Sequence, residues 1–437
     1  MRAVQDATIA RVRQQGRVGV LADAFADEDF CRALAGAIGA GEDIRCARGT
    51  IRFMRTRAFA ELAGSDLAAW QGPVRSTGAQ SSNTVLVLGE RLLLKAYRRL
   101  HAGISPELEI GRFLAETVNF AHVVPVAGAI EYLAGDGAVT TLALLQGFVA
   151  NQGDAWGYTL NYVEQFLEQY RDGVLPSGAA GDIHGGYLAL IRTLGKRTAE
   201  LHAALAQRTG DPAFDPEPIE PRDLSAWVRH AHDVAAATLD RLEQRRATLD
   251  AATQSEAAQL IAARSKLLKR IDAGAPPAVR AFKTRLHGDY HLGQVLLTQN
   301  DFVITDFEGE PARPLAERRQ KHSALRDVAG MLRSFNYALH QAISHAMVDR
   351  PDALASLQAP ARAWEAVAKA AFLDAYRDTA SRAGLFASWD EMRGLLDLFL
   401  LEKAFHELAY EVDNRPDWVH VPLAGLLDLL NRRSTQD

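Results

Sequence analysis

The rhythm of apolar and polar positions changes character twice along the chain. Residues 1–73 read as two or three helices around one short strand near Ile51-Arg-Phe-Met-Arg55. From Val74 to Val149 the pattern turns into short β-type runs. Val85-Leu-Val-Leu88, Gly89-Glu90 and Arg91-Leu-Leu-Leu-Lys-Ala-Tyr97 spell a strand, a two-residue turn and a strand. Ser105-Pro106-Glu107 then opens a helix, with serine at the N-cap and proline at the first helical position, expected to run to about Asn119. Further strands are expected at Val123–Tyr132 and Ala138–Val149. Beyond about residue 155 apolar residues recur every three or four positions, which predicts helices through 157–206, 222–275 and 323–431. A brief β insertion at 284–308 and a proline-rich loop at Asp211–Pro218 interrupt them.

The order is a cap (1–73), a small β-rich part carrying one helix (74–150) and a large, mainly helical part (151–437). The repeated βαβ units of a Rossmann domain are absent, and the succession is that of an α+β, bilobal kinase-like architecture.

Composition narrows the partners. Hydrophobic residues make up 48% and charged residues 24% of 437 positions, enough to fill the core of more than one domain. A net charge of −5 supplies no basic field for nucleic acid or an anionic membrane. No segment reaches the roughly 18–20 apolar residues of a membrane span. Neither nucleic acid nor membrane is therefore an expected partner. Cys31 and Cys46 are too few for a disulfide framework or a structural zinc site. With an N-terminal stretch that lacks a signal peptide's apolar core, they lead to the expectation of a cytoplasmic protein.

The candidate chemistry is concentrated in Leu286-His-Gly-Asp-Tyr-His-Leu-Gly-Gln-Val-Leu-Leu297 and Val303-Ile-Thr-Asp-Phe-Glu-Gly-Glu-Pro311. Asp289 is followed five positions later by the amide of Gln294, and after an apolar strand by Asp306-Phe307. Phosphoryl transfer needs a carboxylate to orient the acceptor hydroxyl and take its proton, and hard oxygen ligands to hold Mg²⁺ on the phosphates. Asp289 fits the first role; Gln294 and Asp306 fit the second. The alternation of His287, Asp289 and His291 also admits a transition-metal site of a hydrolase, but the Gly288 turn and the missing further ligands favour the kinase loop.

Lys95, on the second strand of the hairpin, is placed to hold the α- and β-phosphates with a glutamate from the following helix. Helical spacing leaves that glutamate open: Glu107 shares a stripe with Ile110 and Leu114, and Glu109 aligns with Phe113. Ser81, Ser82, Asn83 and Thr84, in a polar loop starting at Gly78, are candidate donors to phosphate oxygens. Leu144-Leu-Gln-Gly-Phe-Val149 would be the hinge that meets adenine, which puts Gln146 on the nucleotide side.

These residues resemble the maltokinase family, free-standing or fused to trehalose synthase, from about residue 18 to 425. The marks are Leu93-Leu-Lys-Ala-Tyr-Arg-Arg-Leu100, Pro106-Glu-Leu-Glu-Ile-Gly-Arg-Phe-Leu114, Leu144-Leu-Gln-Gly-Phe-Val-Ala-Asn-Gln-Gly-Asp-Ala-Trp156, the two stretches above and Asn414-Arg-Pro-Asp-Trp418. The resemblance implies a eukaryotic-kinase-like fold using ATP and Mg²⁺ to phosphorylate the anomeric hydroxyl of maltose, in association or fusion with trehalose synthase. It implies Asp289 as base, Gln294 and Asp306 as magnesium ligands, and Lys95 with Glu109 on the phosphates. It also implies a sugar pocket lined by the segments Glu402–Glu411 and Asn414–Trp418, with Tyr410, Arg415 and Asp417 as candidates and His406 where a tyrosine is common in the family. The alternatives are a kinase of the aminoglycoside or choline type, or a catalytically weak regulatory module of a trehalose synthase.

Overall fold

A computed structural model of the chain describes residues 7–64, 72–77, 83–174, 183–348 and 354–431. The fold divides into one unit of Met1–Ala150 with Pro311–Arg319, and a second of Asn151–Glu310 with Gln320–Asp437.

The first unit opens on a hairpin of β1 (Thr8–Gln14) and β2 (Arg17–Ala22). Helix α1 (Glu28–Ala40) follows, started by the Asp27 side chain, which accepts from the Asp29 and Phe30 N–H groups, and ended at Gly41 with φ 70°. Next come β3 (Asp43–Cys46), β4 (Gly49–Arg55), the short α2 (Phe59–Ala63), β5 (Val74–Ser76), β6 (Thr84–Leu88) and β7 (Leu92–Ala96). Helix α3 (Pro106–Arg112) continues into a π-helical turn at Phe113–Thr117, and β8 (Val126–Ala134) and β9 (Val139–Gly147) complete the set. Seven strands form one antiparallel sheet in the order β3-β4-β8-β9-β7-β6-β5.

The described residues up to 73 thus hold two helices, the long α1 and the short α2, as the sequence pattern predicts, but four strands in two hairpins where it predicts one strand. In β1 and β2 the apolar residues are interleaved with arginines and Ile9, Val18 and Leu21 stay exposed, so no buried face imposes a period of two. The β3–β4 pair is part of the large sheet through β8. Cys31, Ala35 and Ile38 of α1 pack against Phe53, Leu86, Leu94, Ile130 and Leu145 of that sheet. Gly128 permits the contact, because a Cβ there would strike the Ile38 side chain and the Met54 carbonyl.

The second unit is mainly helical. Its elements are α4 (Ala155–Arg171), α5 (Gly185–Leu205), β10 (Glu217–Pro218), α6 (Pro221–Arg245), α7 (Ala251–Ala262), α8 (Arg264–Asp272), β11 (Phe282–Thr284), β12 (Val295–Thr298) and β13 (Asp301–Ile304). After the one-turn α9 (Leu315–Arg318) of the first unit come β14 (His322–Ser323), α10 (Leu325–Val348), α11 (Leu354–Arg382), α12 (Trp389–Asn414) and α13 (His420–Asn431). Helix α5 packs along α11, α6 along α12, and α10 against α4 and α12. Strands β10, β11 and β14 form a small sheet, and β12 pairs with β13 in a hairpin. Val328, Met331, Leu332, Phe335 and Leu339 of α10 are buried at helical spacing and form the spine of this unit.

His340, on the same helix, is largely enclosed and meets the His420 ring edge-on at 5.7 Å. Burial, reinforced by His420, pushes its pKa down to about 4. The unfolded chain takes up that proton near pH 6.5 and the folded one resists it, so the contribution is complete above pH 6.5 and is lost as pH falls toward 4. The wild type is therefore expected to lose up to about 3 kcal/mol of stability across that window, and His340→Gln to flatten the curve, read by urea titrations at pH 7 and 5.

Candidate active site

Leu286 to Asp289 leave β11 through a turn at Gly288, whose φ of 85° suits a residue without Cβ. The turn is fixed from below by Asp327, in the first turn of α10. One Asp327 oxygen accepts the His287 N–H at 2.8 Å and the other the Gly288 N–H at 2.9 Å. His202 of α5 adds an Nε2 contact at 3.3 Å, and its Nδ1 meets the Tyr376 hydroxyl of α11 at 3.0 Å. All three side chains are buried. Burial alone would raise the Asp327 carboxyl; the His202 hydrogen bond, the two imidazoles and the Gly288 N–H outweigh it and hold it below the usual range.

The β12–β13 hairpin closes the twelve-residue gap between the expected metal ligands. Val295 pairs with Ile304, so the flanking Gln294 and Thr305 meet, and the Thr305 N–H donates to the Gln294 carbonyl at 3.0 Å. The Gln294 side-chain amide then donates to Asp306 Oδ2 at 3.1 Å. Asp306 holds a left-handed φ of 65°, which turns its carboxylate back toward the hairpin's base. The amide oxygen and the carboxylate are hard donors of the kind Mg²⁺ takes. His287 donates from Nε2 to the Thr305 carbonyl at 2.9 Å, and His291 Nδ1 accepts from the Gly293 N–H at 3.1 Å. Those bonds hold the loop and explain why the alternation of His287, Asp289 and His291 is structural.

Asp289 is half-buried and lines a small open cleft together with Glu310, Arg326, Phe399, Glu402, Lys403 and His406. Lys403 Nζ stands 3.6 Å from Asp289 Oδ1. Desolvation works against the Lys403 charge, but Asp289, Glu310 and Glu407 prevail and raise its pKa above the ordinary value. Glu402 is buried with Arg326 Nη2 3.3 Å from Oε1. Burial would raise it; Arg326, His406 and His322 overcome that and keep it ionised.

In the first unit Lys95 reaches Glu107 at 2.9 Å. The Tyr97 hydroxyl donates to the same carboxylate at 3.0 Å and the Gln146 amide at 3.2 Å. Glu109, the partner implied by the resemblance, is bound at both oxygens by Arg319 at 3.0 and 2.7 Å. The reason is helix rotation: Glu107 and Ile110 of α3 form a buried stripe with Leu114 of the π-helical turn, and Glu109 lies off it. Glu107→Gln is therefore expected to raise KM for ATP about 10–100-fold by weakening a charged hydrogen-bond network. Glu109→Gln should leave that constant near wild type, and parallel initial-rate measurements separate the two.

The other expected residues are scattered. Thr84 Oγ1 accepts from Arg98 Nε at 2.9 Å, Asn83 precedes β6, and Ser82 lies outside the described residues. His406 lines the cleft; Tyr410, Arg415 and Asp417 are not among its lining residues. Arg415 is held at both oxygens of Glu411 and lies 5.3 Å from the ring centroids of both Tyr410 and Trp418. Asp417, in the Pro416–Trp418 turn, accepts from His420 through its backbone carbonyl. Asp327 and Arg326 also line the cleft and were not singled out from the sequence; Glu310 lies in the Asp306–Pro311 stretch, and Glu402 and Lys403 in the segment up to Glu411 that the resemblance places at the sugar pocket. The signal for the last two was the stripe Phe399, Glu402/Lys403, His406, at spacings of three and four on one helix.

Among solved structures, a glucosamine kinase in complex with glucosamine, ADP and inorganic phosphate superposes with a TM-score of 0.66, covering 96% of this chain and 87% of that one at 24% identity. The chain has a protein-kinase-like fold. In sequence it is similar to the glucosamine kinase of Streptacidiphilus jiangxiensis, 29% identical over 377 residues, or 84% of this chain and 77% of that protein. The glucosamine kinase of Mycolicibacterium smegmatis is 24% identical over 363 residues, 82% of this chain and 79% of that protein. No family model matches. Among the described residues no helix is long and apolar enough to cross a membrane.

Proposed function

We propose that the chain is an ATP-dependent sugar kinase whose acceptor is an amino sugar of the glucosamine kind. The observation that carries the acceptor class is the charge of the cleft. Four carboxylates (Asp289, Glu310, Asp327, Glu402) stand against two cations (Arg326, Lys403). A cationic acceptor is favoured there over a neutral one, and a charge-assisted hydrogen bond to Glu310 or Glu402 adds about 1.5–3 kcal/mol. The similarity to two glucosamine kinases points the same way.

In this reading Asp289 orients the acceptor hydroxyl and takes its proton as that oxygen bonds to the γ-phosphorus and the bond to the ADP oxygen breaks. Lys95, set by Glu107, neutralises nucleotide phosphates. Gln294 and Asp306 hold magnesium, which when bound screens phosphate charge. Lys403 keeps a positive charge beside Asp289.

The test is ADP release with glucosamine, glucose, maltose, trehalose, choline and an aminoglycoside, each product identified by phosphorus NMR. Release with glucosamine and little with glucose supports the proposal. Release with maltose alone would replace the amino sugar by the acceptor that the motif resemblance implies, keeping the kinase. Nucleotide binding with no turnover on any acceptor would overturn both in favour of a regulatory module.

A further inference from the structure

We propose that His230, Glu402 and His406 form a binding site for one divalent transition-metal ion of the zinc class, built into the wall of the acceptor cleft. Glu402 and His406 stand one turn apart on α12, and His230 comes from α6, which packs along that helix. Each offers one ligand atom, and all three atoms lie within 4.8 Å of one another. His230 Nε2 is 3.6 Å and His406 Nε2 3.7 Å from the same oxygen, Glu402 Oε1. A tetrahedral zinc ion with bonds of about 2.0–2.2 Å holds its ligands roughly 3.3–3.5 Å apart, so the site closes through small rotamer changes.

The donor set decides which ion it takes. Two imidazoles and one carboxylate suit zinc, cobalt or nickel and give Mg²⁺, which demands oxygen ligands, no advantage. The site is therefore chemically separate from Gln294 and Asp306. Three protein ligands leave a fourth position for water or for a group of the acceptor. His230 is half-exposed, its side chain at 48%, and gives the ion a route in from solvent. Arg326 approaches Glu402 at the same Oε1. Metal binding at that oxygen therefore requires Arg326 to move away from it.

Occupancy withdraws Glu402 and His406 from the acceptor, and micromolar zinc becomes an inhibitor that competes with the sugar and not with ATP. This consequence rests on the sugar-kinase reading; the metal site does not. Titration of the full chain with Co²⁺ in the absence of nucleotide is expected to give the visible absorption of a tetrahedral ion at one equivalent. Zn²⁺ should displace it, and excess Mg²⁺ should not. His230→Ala and, separately, His406→Ala should each weaken Zn²⁺ binding about tenfold or more in calorimetry, as loss of one of three ligands does. In turnover at saturating Mg-ATP, zinc should raise the apparent KM for the acceptor, and His230→Ala should shift the inhibition constant upward by the same factor relative to its own zinc-free rate. No tetrahedral cobalt spectrum, or equal Zn²⁺ affinity in wild type and His230→Ala, would overturn the site. The expected cobalt spectrum with no turnover on any sugar would uphold the site and place the failure in the functional reading.

Discussion

Asp289→Asn is expected to lower kcat by about 10²–10⁴-fold, the range for removal of a positioned general base, while KM for ATP and the melting temperature stay near wild type. Asparagine has the same shape but cannot take the acceptor proton. The fold should tolerate it, because Asp289 is half-buried and its backbone N–H, which points at His287 Nδ1 from 3.4 Å, is unaltered. Lys403 loses one counter-charge at 3.6 Å, but Glu310 and Glu407 still face it. Single-turnover rates with bound Mg-ATP isolate the chemical step from binding and release. A variant within tenfold of wild type would remove Asp289 from the role of base and leave it as an orienting group.

The contact between Gln294 and Asp306 was legible because their arrangement is local. One hairpin with a two-residue turn brings Gln294 and Asp306 together, and hairpin register follows from alternation and turn chemistry. Lys95 was legible for the same reason, from the hairpin of β6 and β7. Its partner was not. Both Glu107 and Glu109 fit the spacing, and the choice depends on how α3 lies on the sheet and on Arg319, 210 residues further along. The lining of the cleft was less legible still, since Glu310 and Arg326 must meet a stripe on α12 much further along the chain. Of the two segments that the resemblance places at the sugar pocket, Glu402, Lys403 and His406 line this cleft, and Tyr410, Arg415 and Asp417 are not among its lining residues. The N-terminal hairpin was missed for a different reason: its exposed faces mix valine with arginine and carry no signature of burial.

Asp327→Ala is expected to cost about 3–5 kcal/mol of stability, the range for removing one member of a buried, charged hydrogen-bonded group, and to slow turnover as well. The carboxylate is the shared acceptor for the two backbone N–H groups that shape the catalytic turn and for His202. Alanine strands all three donors, two of them in buried bonds, and unmet buried donors cost more than a hydrogen bond is worth. The effect should spread to catalysis because Asp289 follows directly on His287 and Gly288, so looser amides mean a misplaced carboxylate. Asp327→Asn should recover only part of the loss, since one of its two oxygens becomes an N–H₂ facing a donor. The pH sign follows from the depressed carboxyl: the stabilisation is complete at neutral pH and is lost only as pH falls below the usual carboxylate range near ~4 and through the folded value. A role confined to packing would lower the melting temperature alone. Positioning predicts in addition a fall in kcat measured well below the melting temperature, faster amide exchange at His287 and Gly288, and a smaller kcat effect for His202→Ala, which leaves both backbone bonds to Asp327 in place.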